Sequence, residues 1–266
     1  SRRDLFDQLT LVRTAELFLR LPATVSISAL FFLYGLTQFL TMAFMHKGLG
    51  TALWDLGFYD QVIWSTSHGR FLITSVRGGL HVFCEHFKPL LAVLSALYLV
   101  WDNVFFLFLV SAFVGALTIP LGYGIARQFE FPKETAVVFA LSIFFYQPLR
   151  NGLIFLFHTS TYADPFLLCG FYFALREKRF SILFFALALM CKENIAMEVL
   201  GIGLFLLAMK KKAGWETAAL AGVFLIAYVF YIEPHYRWAY HVAPKWNHYE
   251  HFVHWSFEAW KKILEP

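Results

Sequence analysis

The sequence predicts an all-α polytopic membrane protein, and three observations carry that prediction. Hydrophobic residues make up 59% of the 266 and charged residues only 15%, against about 45–50% apolar and about 25% charged in soluble domains. Apolar runs approaching the ~20 residues that cross a bilayer recur along the chain. Lys and Arg gather in short clusters between those runs, as they do in cytoplasmic loops. The net charge of +4 and pI near 8.9 therefore report orientation and do not point to a nucleic-acid partner.

The elements follow in order. Residues 1–21 place Leu5, Phe6, Leu9, Val12, Leu17 and Phe18 at helical spacing among charges, which predicts an amphipathic helix on the inner membrane surface. Pro22 breaks it before a first span at 25–45. Residues 46–103, polar and Gly-interrupted yet rich in aromatics, form a first outer loop of short interfacial helices. Its apolar run 89–101 starts with Pro89 at the favoured first helical position. Further spans are expected at 104–126, 134–150, 161–175, 180–191, 194–209 and 216–233, with an outer tail at 234–266. Charge decides the count of seven. With 89–101 in the interface and the N-terminus inside, Arg127/Lys133, Arg176/Lys178/Arg179 and Lys210/Lys211/Lys212 all fall on the cytoplasmic side. Arg150 and Lys192 remain in short outer connections. Without repeats or linkers the chain reads as one domain, and its ends read as those of a fragment of a longer chain.

Residues 180–209 as one helix would rise about 45 Å, too long for a core of roughly 30 Å. Split at Cys191-Lys192-Glu193-Asn194, they become a hairpin whose first arm rises only about 18 Å. Lys192 and Glu193 then lie below the outer surface, at the floor of a water-filled cavity. Uncompensated charges at that depth cost ~2.5–3.5 kcal/mol each on insertion scales.

The motif Trp54-Asp55-Leu56-Gly57-Phe58-Tyr59-Asp60, directly after the first span, sets two carboxylates among aromatics at a membrane surface. A charge there must be paired, hydrated or used. Glu85, His86 and Lys88 precede Pro89, His158 ends the third span, Asp164 begins the fourth, and Lys192 and Glu193 lie in the hairpin. All are expected on one face. Each has an ordinary alternative: His158 a snorkelling histidine, Asp164 a helix N-cap, Lys88 a contact to lipid phosphate, Lys192 and Glu193 a self-neutralising pair. Convergence favours a site. Cys84, Cys169 and Cys191 have no metal spacing. His248, His251 and His254 share a helical face, but interleaved Trp246, Tyr249, Phe252 and Trp255 read better as an aromatic belt.

The pattern Asp55-Leu56-Gly57, Asp60-Gln61, Trp64, His86-Phe87, Pro89-Leu90-Leu91, Phe157-His158 and Lys192-Glu193 resembles the predicted prokaryotic membrane proteins of domain of unknown function 2079. That family is in turn similar to the GT-C glycosyltransferases, including protein O-mannosyltransferases and aminoarabinose transferases. The resemblance implies a GT-C-like seven-span module, a polyprenyl-phosphate sugar donor and an extracytoplasmic site in a prokaryotic plasma membrane. It implies Asp55 as the catalytic carboxylate, and cations for the lipid phosphate at Lys88, in Lys88-Pro89-Leu90 with the second Pro of relatives absent, and at Lys192. Such a reaction needs a base for the acceptor proton and cations facing the departing phosphate. Asp60, Glu85, His86, His158, Asp164 and Glu193 are the remaining substrate-binding candidates, and a divalent cation is a possible cofactor that the sequence does not specify. Two rivals stand beside this reading. One is a transporter or channel component using Asp164, Lys192, Glu193 and Glu198, and the other is a non-catalytic lipid-binding relative.

Overall fold

A computed structural model describes residues 21–51, 53–154 and 157–242. The surface helix expected at 1–21, all but its last residue, and the tail histidines His248, His251 and His254 lie outside the described residues. Helix α1 (Ala23–Lys47) follows Pro22 and ends at Gly48, with His46 and Lys47 in its last turn, where cations favour the helix dipole. After the first loop the chain returns through α4 (Val104–Ala116) and α5 (Thr118–Gln128). These form one 25-residue apolar helix interrupted at Leu117, because Pro120 has no N–H for the carbonyl of Ala116. Asn103 caps its start by accepting from the Phe105 N–H at 3.0 Å.

Helix α6 (Lys133–Phe145) stops short of the expected 134–150. Tyr146 is extended, and Pro148 sits in a separate short helix α7 (Gln147–Ile154), which carries Arg150 on an exposed surface. Then come α8 (Ala163–Leu175), α9 (Phe180–Leu189), α10 (Ile195–Ala208) and α11 (Ala213–Ala227). Helix α11 continues through a π turn at Tyr228–Ile232 into α12 (Glu233–Ala239). The π turn widens the helix just where Pro234 could not pair with the previous turn. The tail expected from 234 therefore begins as helix. Among the described residues three helices, Ala23–Lys47, Val104–Gln128 and Ala213–Ala239, are long and apolar enough to cross a membrane, while α9 and α10 are apolar but shorter.

Successive helices alternate between two ends. At the basic end Lys133 Nζ donates to the Leu21 carbonyl at 2.7 Å, and Lys211 Nζ to that of Leu175 at 3.0 Å. Both carbonyls flank helix ends, Leu21 just before α1 and Leu175 as the last residue of its helix. Helices α10 and α11 pack at backbone contact. A Cβ on Gly203 would stand 2.7 Å from the Ala218 nitrogen, and one on Gly214 2.6 Å from that of Leu207. Small residues allow that approach where lipid offers no hydrophobic drive for association.

The first loop lies at the opposite end. It holds α2 (Phe58–Ser67), an antiparallel hairpin of β1 (Ile73–Thr74) and β2 (Leu80–His81), and α3 (Leu90–Tyr98). The hairpin qualifies the all-α expectation. Its turn uses Gly78 and Gly79 at φ 66° and 87°, a region that glycine alone enters without cost. Helix α3 rises roughly 14 Å, too little to cross. Its Leu91 and Leu94 are buried in one core with Val62 and Ile63 of α2.

Candidate functional site

Asp55 stands in the π turn Leu53–Gly57 that opens α2. Its φ of 68° is left-handed, a conformation Asp tolerates better than most non-Gly residues. Its carboxylate Oδ1 lies 3.5 Å from His158 Nε2. His158 is extended and precedes a 3₁₀ turn at Thr159–Tyr162. That turn is fixed on two sides: Thr159 Oγ1 donates to the Cys191 carbonyl at 2.7 Å, and the Tyr162 hydroxyl meets Ser111 Oγ at 2.8 Å. The imidazole is therefore held by rigid neighbours.

Lys88 is only 2% exposed. Its ammonium donates to the hydroxyl of Tyr59, whose ring stands edge-on to His158 at 5.8 Å. Burial pulls Lys88 down from 10.5 to about 8, and the charge of Lys192 adds to that, opposed by Glu193, Asp55 and Glu85. Burial also lowers His158; Asp55 opposes this, while Lys88, Lys192 and His86 reinforce it. Tyr59 is pushed up by burial and by Asp55, Glu85 and Glu193, so it stays a neutral phenol. These mutual fields mean that Asp55, Tyr59, His86, Lys88, His158, Lys192 and Glu193 lie near one another, and this neighbourhood is the candidate recess.

A clamp joins the first loop to the turn between α9 and α10. Glu193 Oε1 accepts from His86 Nδ1 at 2.7 Å and its Oε2 from the Phe87 N–H at 3.0 Å, while the Leu90 N–H reaches the Met190 carbonyl at 3.1 Å. His86 and Glu193, expected to bind substrate, are thus spent on each other and on backbone. Lys192 differs. Half-buried in the same turn, it accepts from the Ile195 N–H through its carbonyl at 3.2 Å, but its ammonium forms no hydrogen bond or ion pair with a described residue.

Two expected site residues, Asp60 and Asp164, lie elsewhere, and a third, Glu85, acts on Lys88 and Tyr59 but is engaged by another partner. Asp60, although one turn from Asp55, accepts from the Tyr98 hydroxyl of α3, and burial raises its carboxyl. Glu85 faces Arg77. Asp164 is the second residue of α8 and forms no N-cap bond. Its carboxylate opens into an apolar groove of about 580 Å³ between α5, α6, α7, α8 and α10. Sequence reading passed over Tyr59, although its position four residues after Asp55 was a usable signal for a shared helical face. Among the described residues, no three His, Cys, Asp or Glu side chains converge on a metal position.

An apolar helical bundle with its ionisable groups gathered at one end and its basic loops at the other defines an integral membrane protein. The family described as Predicted membrane protein (DUF2079) matches residues 45–265, and the chain belongs to it. No curated protein and no solved structure matches the chain.

Proposed function

We propose that this protein is a GT-C-like membrane glycosyltransferase that moves a hexosyl or pentosyl group from a polyprenyl phosphate to an extracytoplasmic acceptor. In this reading seven helical passes cross a prokaryotic plasma membrane, the basic end is cytoplasmic and the recess faces outward. The observation that supports it best is the Asp55–His158 pair at 3.5 Å, set beside a buried lysine and a second whose ammonium has no partner among the described residues. A carboxylate next to two ammonium groups suits a substrate that gives up a proton at one point and a phosphate at another.

The acceptor hydroxyl surrenders its proton to Asp55 as its oxygen bonds to the anomeric carbon. The bond from that carbon to the phosphate oxygen breaks, and the electron pair stays on the phosphate, facing Lys88 and Lys192. Preorganised cations stabilise that developing charge, most strongly where water is excluded, as around the buried Lys88. His158 holds the Asp55 carboxylate in position. Asp55→Asn is expected to abolish transfer from a polyprenyl-phosphate sugar while folding and lipid binding persist; transfer at the wild-type rate would overturn the assignment.

One observation favours a transporter or channel component instead: Asp164 and Glu198 interact electrostatically beside the apolar groove. Transport would respond to Glu198→Gln and ignore Asp55→Asn. A non-catalytic lipid-binding relative would bind polyprenyl phosphate and transfer nothing.

A further inference from the structure

At the basic end, far from the recess, α5 and α8 leave a groove of about 560 Å³. Its walls are apolar, formed by Leu117, Pro120, Leu121 and Tyr172. The Tyr172 ring lies against bare backbone, since a Cβ on Gly124 would stand 2.9 Å from it. Two exposed guanidinium groups mark the mouth. Arg176 stands over the Tyr172 ring at 4.5 Å, and Arg127 donates to the Phe131 carbonyl. Neither forms an ion pair with a described residue, and the nearby Glu177 is directed to the N–H groups of Lys212 and Ala213. A guanidinium has five N–H donors in a fork that matches phosphate oxygens, so both arginines keep donors to spare.

We infer that this groove binds an anionic phospholipid, with the phosphate between Arg127 and Arg176 and an acyl chain along Leu117, Leu121 and Tyr172. Charge complementarity argues for the anionic headgroup, and the apolar length of the groove argues for a chain that a free phosphate lacks. Basic pockets between membrane helices on the cytoplasmic side recognise such headgroups. The site is independent of the transferase reading and occupies the other end of the bundle.

Native mass spectrometry of the delipidated protein, titrated with phosphatidylglycerol or phosphatidylcholine, tests it. The wild type is expected to retain one phosphatidylglycerol selectively. Each basic residue near a lipid phosphate contributes roughly fivefold, so R127Q/R176Q is expected to bind about thirtyfold more weakly. R127K/R176K keeps the charge but not the fork and is expected to bind between the wild type and the Gln variant, whereas Leu121→Trp fills the groove and removes binding with both arginines intact. If the Gln double variant fails to fold, these last two variants decide. Equal binding of the zwitterionic lipid, unchanged binding in the Trp variant, or equal protection by inorganic phosphate would overturn the inference.

Discussion

Lys88→Met isolates the cost of holding an ammonium in the recess. The folded protein lowers Lys88 from 10.5 to about 8, chiefly by burial. Over that interval, at about 1.36 kcal/mol per pH unit, the penalty is roughly 3 kcal/mol. The unfolded chain keeps its proton up to about pH 10.5 while the folded chain sheds it near 8. The unfolded state therefore binds more protons between those values, and stability rises with pH across that window. Below about pH 8 the penalty is present in full; above about 10.5 it is gone. Near-complete burial leaves little solvent to screen it.

Thermal unfolding in detergent at pH 7, 8, 9 and 10, wild type against Lys88→Met, reads the effect directly. Other groups titrate in both proteins and cancel in the difference. The wild type is expected to gain roughly 3 kcal/mol relative to the variant as pH rises through the window. Parallel profiles would refute the argument, because they would mean that Lys88 is solvated or already neutral. The same titration removes one cation from the phosphate side of the recess, so transfer is expected to fall above about pH 8. Lys88→Arg, always charged, is expected to shift that fall upward.

Four further outcomes are expected. Glu193→Ala removes two hydrogen bonds from a carboxylate and should lower the unfolding free energy by about 3 kcal/mol, with Glu193→Gln losing about half of that; chemical unfolding checks both, and an unchanged value would remove the clamp. Gly201→Ala, which meets open space, should be neutral or stabilising by up to about 1 kcal/mol, whereas Gly203→Ala should lower the thermal midpoint by forcing α10 from α11. Tyr98→Phe takes away the hydrogen bond that restrains the rise of Asp60, so the infrared band of its protonated carboxyl should persist to higher pH. Lys192→Met should raise the thermal midpoint while abolishing transfer, since a charge retained for function costs stability; a lowered midpoint would make Lys192 structural.

Hydropathy and charge placement made the alternation of helices legible, because each basic loop had to share one end. They also set 89–101 apart from the expected spans, and the structure forms the nine-residue helix α3 there. Periodicity could not locate the breaks at Leu117 and Tyr146, although Pro120 and Pro148 were visible causes. The hairpin at 73–81 escaped because two-residue strands leave no period to detect. Within the candidate site, residue type marked Asp55, Lys88, His158 and Lys192. It could not mark which acids are spent on partners, since Glu85, Asp60 and Glu193 are satisfied by Arg77, Tyr98 and His86, contacts that only the folded loop creates.

The short hairpin of α9 and α10 ties these facts together. Helix α9 rises about 15 Å and α10 about 21 Å, so with the basic end at the headgroups their turn lies well inside a core of roughly 30 Å. Lys192 and Glu193 would then each cost ~2.5–3.5 kcal/mol if left bare. The segment His86 to Leu90 answers half of that problem by folding down onto the turn, satisfying Glu193 with an imidazole and an N–H. The same descent carries Lys88 into the interior and leaves the Lys192 ammonium beside it without a partner among the described residues. The first loop brings the cation Lys88 together with the carboxylates of Asp55 and Glu85, whose fields oppose the cost of its burial, so the turn is met by charges of both signs and the burial of Lys88 is offset from within the chain.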